Sequence, residues 1–243
     1  MPTPPPAIPL RAITFDAGFT LLHPHPATGT LYAAAAARHG LELPAAEAEP
    51  RLLRAWNAAR RSHAGLVHGT DAESARHFWR KVIARMFDPP PAPSLLDRLT
   101  RDLHDLFSDP ATWRLDPAWE SLHATLRARG LRIGLVSNWD VRLRPLLQGL
   151  GLERRFDAIA ISAEQAAEKP DPALFHHARR ALGVADPAAC LHIGDTWNED
   201  IVGATAAGLR AAWLNPNGAP RPDPALPCGE LRGLAALTAL LGT

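Results

Sequence analysis

Cysteine and lysine are scarce in this sequence of 243 residues. The two cysteines, Cys190 and Cys228, are too few for a disulfide framework in a chain of this length, and their spacing is not that of a metal site. They indicate a reducing compartment. Only two of the 26 basic residues are lysines, Lys81 and Lys169. Because an ammonium group and a guanidinium group are not chemically interchangeable, each lysine requires an explanation.

An excess of charge of either sign is also absent. The 26 Lys and Arg residues nearly balance the 25 Asp and Glu residues, which leaves a net charge of +1. A chain with this balance is not expected to have an extended positively charged surface for nucleic acid or an anionic membrane, so neither is an expected partner. No apolar run approaches membrane-spanning length, and the start lacks the basic and apolar regions of a secretory signal. We therefore expect a cytoplasmic protein in which residues 1–10 form a flexible, proline-rich leader.

The pattern of apolar residues divides the chain into two kinds of structure. Between residues 28 and 107, apolar side chains recur at helical spacing in four successive segments, with no strand-like segment between them. From Asp116 onward, strands and helices alternate, as in a parallel sheet with right-handed crossovers. The apolar segment around Ile13 has the composition of the same sheet. We therefore predict an α/β, doubly wound core of residues 11–23 and 110–243, interrupted by a helical-bundle domain of residues 24–109.

Polar residues follow the predicted strands of the α/β part. In a parallel sheet the carboxyl ends of the strands share one edge, so these residues are expected to converge in one crevice. The residues are Asp16, Ser137, Lys169, Asp195 and Asp200. Clustered carboxylates repel one another unless a divalent cation binds, and an all-oxygen donor set suits Mg²⁺. Beside such a cation and Lys169, Asp16 would be able to attack a phosphoryl group as a nucleophile, with the Ser137 hydroxyl as a hydrogen-bond donor.

Four stretches in this order resemble the four motifs of the haloacid dehalogenase-like (HAD) hydrolase superfamily. They are Asp16, Ser137-Asn138, Glu168-Lys169-Pro170-Asp171-Pro172 and Gly194-Asp195 with Asp200. The resemblance covers residues 11–214 and implies a Rossmann-like core with an inserted cap domain. It also implies a small phosphorylated metabolite as substrate and Mg²⁺ as cofactor, with catalysis by Asp16, Ser137 and Lys169. By the same resemblance, Ser137, Asn138 and Lys169 bind phosphate, and Asp16, the Gly18 carbonyl, Asp195 and Asp200 hold the metal.

The sequence departs from the superfamily pattern at Gly18. Phosphatases of the superfamily usually carry there a second aspartate, which protonates the leaving group and then activates water, a role typically worth about 10² to 10⁴ in rate. His23 or His25, which lie close to Asp16 in sequence, are hypothetical replacements. Lys81 would fit phosphonate chemistry, but its arginine-rich surroundings favour a solvated helix face.

Two alternatives to a slow phosphatase remain open from the sequence. A dehalogenase would use Asp16 on carbon and would need no metal, so the presence of Asp195 and Asp200 counts against it. A non-catalytic protein would keep the pocket and bind metal or phosphate without turnover. Either a monomer or a homodimer is compatible with the sequence.

Overall fold

A parallel sheet of six strands forms the centre of the structure, a computed structural model that describes residues 8–63 and 66–241. The strands of this sheet and of a small second sheet are β1 (Ala12–Phe15), β2 (Leu22–Pro24), β3 (Trp113–Leu115), β4 (Arg132–Ser137), β5 (Ala158–Ile161), β6 (Cys190–Gly194), β7 (Arg210–Leu214) and β8 (Gly229–Leu231). The large sheet has the order β5-β4-β1-β6-β7-β8. All its neighbouring strands are parallel, which confirms the predicted α/β class.

Helices cover both faces of this sheet and also form a separate group. In chain order the helices are α1 (Thr28–Arg38), α2 (Ala45–Arg61), α3 (Ala72–Ala84), α4 (Pro93–Ser108), α5 (Trp119–Ala128), α6 (Leu143–Gly149), α7 (Ser162–Gln165), α8 (Pro172–Ala181), α9 (Gly203–Ala206) and α10 (Leu237–Leu240). Side chains alternate between the two faces of a strand. Ile13 and Phe15 of β1 therefore pack with residues of α5 and α6, whereas Ala12 packs with residues of α8.

Helices α1–α4, here called the helical block, share an apolar core of their own. Buried side chains such as Ala55 of α2, Phe78 and Val82 of α3, and Leu99 of α4 form one cluster. That these helices belong to a separate domain of residues 24–109 stays a prediction, and this shared core supports it. None of the helices described in the structure combines the length and the apolarity needed to cross a bilayer.

The structure differs from the sequence predictions at several short elements. The antiparallel pair β2–β3 and the edge strand β8 each have strands of three residues, which is too short for a recognisable alternation. The helical segment after β6 begins as a π-helix at Trp197–Val202 and continues as α9. The last helical segment after β8 consists of a 3₁₀ turn at Leu234–Ala236 followed by the four residues of α10. Most of the predicted leader, residues 1–7, lies outside the described residues.

Candidate active site

The strand order brings the predicted site residues to one edge of the sheet. β1 lies between β4 and β6, so Asp16 after β1 lies between Ser137 at the end of β4 and Asp195 just after β6. Asp200 comes from the π-helix that follows, and Lys169 from the loop that precedes α8. All five belong to the lining of one cavity at this edge.

Lys169 holds the centre of the cluster. Its side chain is only 2% exposed, and its ammonium donates hydrogen bonds to Asp16 Oδ1 at 2.7 Å and to Asp200 Oδ1 at 2.5 Å. Burial alone would lower the pKa of Lys169, but the adjacent Asp16 and Asp200 carboxylates raise it above its ordinary value. The Ser137 hydroxyl donates to Asp16 Oδ1 at 3.0 Å. Lys169 is therefore a permanent cation that, with Ser137, fixes one oxygen of Asp16.

Three carboxylates surround this single lysine. Asp16, Asp195 and Asp200 each offer an oxygen, and these oxygens lie within 4.8 Å of one another. Burial, together with the nearby acids, raises the pKa of Asp16 to about 6 and that of Asp195 to about 8. Burial also acts against the Asp200 charge, but Lys169 and a hydrogen bond from His192 hold the pKa of Asp200 below its ordinary value. The cluster therefore has more acids than one ammonium can compensate.

A buried chain of polar groups supports Asp200. His192 is fully buried in β6, and its Nε2 lies 3.1 Å from Asp200 Oδ1 while its Nδ1 lies 2.9 Å from Thr14 Oγ1 of β1. The Thr196 amide donates to Asp200 Oδ2 at 2.9 Å. A Cβ atom on Gly194 would lie 2.1 Å from Asp200 Cγ, so a side chain at position 194 would displace Asp200. Thr14 and His192 are polar residues in otherwise apolar strands. This contrast is the sequence feature that could have indicated their role in positioning Asp200.

Asn138 contacts the protein backbone in this structure. Its Oδ1 accepts a hydrogen bond from the Lys169 amide at 2.7 Å, and its Nδ2 donates to the Lys169 carbonyl at 2.9 Å. Nδ2 also donates to Glu199 Oε2 at 3.0 Å. These contacts position the Lys169 loop. The predicted role of Asn138 in phosphate binding stays a prediction.

Two glutamates connect this edge of the sheet to the helical block and the loop after α2. Glu199 Oε1 accepts from Arg60 Nη1 of α2 at 2.5 Å. Glu168 accepts from the backbone amides of Val67 and His68 at 3.0 and 2.7 Å, and its Oε1 lies 2.9 Å from His68 Nδ1. Glu168 precedes Lys169 and Glu199 precedes Asp200, so both connections are made directly beside the acidic cluster. The sequence alone gave no signal for these partners.

An indole ring lies directly against Gly18. A Cβ atom on Gly18 would lie 3.3 Å from Trp139 Cζ3, and Trp139 in turn packs against Trp113 with ring centroids 5.1 Å apart. The structure gives no support to the histidine hypothesis, because neither His23 nor His25 lines the cavity. His23 instead lies with its Nε2 3.9 Å from Asp116 Oδ2.

The fold and the site together define a class. A parallel α/β sheet with an aspartate, a serine, a lysine and further aspartates at its carboxyl edge, and with helices inserted after the first strand, is the arrangement of haloacid dehalogenase-like hydrolases. A family model described as haloacid dehalogenase-like hydrolase matches residues 10–208. The chain belongs to this family of hydrolases.

Individual relatives include both phosphatases and dehalogenases. The haloacid dehalogenase-like hydrolase domain-containing protein 3 of Bos taurus is 33% identical over 83% of this chain and 80% of its own. A phosphoserine phosphatase of Thermus thermophilus is 38% identical over 55% of each chain. Among solved structures, an HAD phosphatase from Thermococcus onnurineus has a TM-score of 0.66 at 25% identity, covering 96% of this chain and 98% of its own. A 2-haloacid dehalogenase from Pseudomonas syringae has a TM-score of 0.64 at 26% identity and the same coverage.

Proposed function

We propose that this protein is a Mg²⁺-dependent phosphatase that hydrolyses a small phosphomonoester through an aspartyl-phosphate on Asp16. The main support is the cluster itself. Asp16 is contacted by Lys169 and Ser137, and oxygens of Asp195 and Asp200 lie within 4.8 Å of an Asp16 oxygen. The phosphatases among the relatives agree with this proposal.

The residues fit a magnesium ion. Three carboxylates lie beside one ammonium, which contacts only Asp16 and Asp200, and burial together with the neighbouring acids raises the pKa values of Asp16 and Asp195. Hard oxygen donors of this kind suit Mg²⁺. The Gly18 carbonyl accepts no hydrogen bond from the described backbone, so its oxygen is free to act as a further ligand. When bound, Mg²⁺ would neutralise charge on the carboxylates and on the phosphoryl oxygens.

The chain's own residues account for the two chemical steps. An Asp16 carboxylate oxygen attacks phosphorus, the bond from phosphorus to the ester oxygen breaks, and the alcohol leaves with the electron pair of that bond. Lys169 and Ser137 bind the transferring phosphoryl group. Water then attacks the phosphorus of the acyl phosphate, which returns Asp16 as a carboxylate and releases inorganic phosphate. Because Gly18 offers no acid, the leaving alkoxide takes its proton from water, and we expect slow turnover.

The proposal is tested by hydrolysis of 4-nitrophenyl phosphate. We expect release of inorganic phosphate with Mg²⁺ present and its loss when a chelator is added. Equal rates with and without chelator would contradict the metal dependence. Halide release from a 2-haloacid that chelator does not change would instead support the dehalogenase alternative. A Mg²⁺-induced rise in melting temperature with no turnover of any ester would support the non-catalytic alternative.

The affinity for Mg²⁺ is expected to rise with pH. Metal binding requires ionised carboxylates, and burial and the neighbouring acids raise the pKa of Asp195 to about 8 in the metal-free protein. Below that pH each bound ion must displace a proton, so the apparent dissociation constant should fall by up to about tenfold per pH unit and level off above it. Calorimetric titration with Mg²⁺ between pH 5.5 and pH 9 measures this slope. A constant affinity across that range would rule out Asp195 as a titrating ligand.

A further inference from the structure

The cavity beyond Asp16 has mostly apolar walls. Its volume is about 580 Å³, which is enough for a ligand of one or two rings. Three helices of the helical block contribute large apolar side chains to it, namely Leu52, Leu53, Trp56, Trp79, Leu103 and Phe107. The rings of Trp56 and Trp79 lie with their centroids 5.1 Å apart. The helical block therefore presents an aromatic and aliphatic surface to the crevice.

A row of aromatic rings leads from the Asp16 end of the cavity to this surface. It begins with Trp139 beside Gly18 and continues through Trp113 to Phe107, whose centroid is 6.0 Å from that of Trp113. Tyr32 follows at 5.6 Å from Phe107. Within the part of the chain that the structure describes, the Tyr32 hydroxyl makes no hydrogen bond. The row provides apolar contact along its length and one uncharged hydrogen-bonding group at its end.

The arginines of the cavity wall are already paired. Arg60 Nη1 lies 2.5 Å from Glu199 Oε1, and Arg142 Nη2 lies 2.6 Å from Asp140 Oδ2. Asp140 is 1% exposed and Arg142 is largely buried, so this second pair would be broken only at a high cost in desolvation. Each arginine of the wall is therefore already neutralised by a carboxylate of the protein.

The remaining titratable groups of the cavity wall add no unpaired positive charge. His68 lies against Glu168, with 2.9 Å between Nδ1 and Oε1. Burial, with Arg142 nearby, lowers the pKa of His104 and keeps its ring neutral. Glu49, an exposed residue of α2, adds a negative charge. Outside the Asp16 cluster, the described lining therefore holds no unpaired cation.

We propose that the substrate is a phosphomonoester of an uncharged alcohol whose organic group is mainly apolar and carries a ring. This substrate class rests on the proposed phosphatase function. A buried anionic group on the substrate would meet apolar walls and Glu49 without a compensating charge, which is costly. An apolar ring gains by burial against the row of aromatic rings and the helical block. Small anionic esters and polyphosphates are excluded as good substrates on the same grounds.

A panel of three alkyl esters tests this class. 2-Phenylethyl phosphate, phosphoglycolate and phosphocholine all release a primary alcohol, so the comparison is one of uncharged, anionic and cationic organic groups. We expect kcat/KM for 2-phenylethyl phosphate to exceed the other two by at least about tenfold. A preference for phosphoglycolate would overturn the class, and a preference for phosphocholine would show that the rings bind a cation instead.

The panel also separates failure of the substrate class from failure of the proposed function. 4-Nitrophenyl phosphate is included because its leaving group needs no protonation. Turnover of this ester together with a preference for a charged alkyl ester would overturn the substrate class alone. Turnover of none of the four esters with Mg²⁺ present would overturn the phosphatase function and, with it, the class that depends on it.

A charge placed in the wall gives a second test. Leu53 lines the cavity and is 61% exposed, so Leu53→Arg adds a cation without disturbing the core of the helical block. We expect the ratio of kcat/KM for 2-phenylethyl phosphate over phosphoglycolate to fall by at least about fivefold. Leu240→Arg is the matched control, because Leu240 is 45% exposed on α10 and outside the cavity lining, and the ratio should stay constant. An unchanged ratio in Leu53→Arg would show that this wall does not bind the organic group.

Discussion

Asp16→Asn is expected to reduce phosphatase turnover by about 10⁴-fold or more, because an amide oxygen does not form the acyl phosphate. The amide keeps an oxygen that can accept hydrogen bonds from Lys169 and Ser137, as Asp16 Oδ1 does now. It also removes a carboxylate whose charge is disfavoured by burial, as its raised pKa of about 6 indicates. The melting temperature of the metal-free variant should therefore not fall, which separates loss of chemistry from loss of structure.

The measurement is single-turnover and steady-state hydrolysis of 4-nitrophenyl phosphate with Mg²⁺ present. Asp223→Asn serves as the control, since Asp223 is an exposed loop residue whose side chain accepts a hydrogen bond from the Ala225 amide. It should keep wild-type turnover. Residual turnover in Asp16→Asn within tenfold of the wild type would refute covalent catalysis by Asp16.

Gly18→Asp is expected to restore little activity by itself and much more in combination with Trp139→Ala. From the sequence alone, an aspartate at position 18 would be expected to supply the missing acid. In the structure a Cβ atom there already lies 3.3 Å from Trp139 Cζ3, which is closer than ordinary van der Waals contact, so the added side chain is crowded by the indole ring. With the indole removed, a general acid and base should raise turnover of an alkyl phosphomonoester by about 10² to 10⁴.

Two comparisons make this experiment specific. Trp139→Ala alone should show no gain, because it adds space without an acid. The gain in the double variant should be larger for an alkyl ester than for 4-nitrophenyl phosphate, whose leaving group needs no proton. If the double variant is no faster than Trp139→Ala, the missing acid at position 18 does not limit the reaction.

The strands and helices that position the site were predictable because their sequence pattern extends over many residues. Strands and helices alternate over the second half of the chain, and the polar residues after β1, β4 and β6 follow from the rule that parallel strands end at one edge. The three-residue strands β2, β3 and β8 were missed because their pairing depends on partners distant in sequence. Likewise, the π-helical turn at Trp197–Val202 has no periodic signature that distinguishes it from the start of an α-helix.

The acidic cluster was predicted as a set of residues, but its supports were not. Asp16, Lys169 and Asp200 could be named because each follows a strand or lies in a motif. The contact of Trp139 with Gly18 and the chain from Thr14 through His192 to Asp200 depend on side-chain positions that become defined only when the strands pair. The sequence showed that an acid is missing, and the structure shows an indole ring against the position where it would be attached.

Glu199 connects the helical block to the loop that carries Lys169. Glu199 contacts Arg60 with one carboxylate oxygen and Asn138 with the other, and Asn138 holds the backbone of Lys169. Any separation of the helical block from the sheet breaks the first contact and leaves Glu199 with only the second. The contact of the helical block with Glu199 and the hydrogen bonds that hold the Lys169 backbone therefore meet at one carboxylate, so a change at Arg60 is expected to reach the Lys169 loop through Glu199 and Asn138.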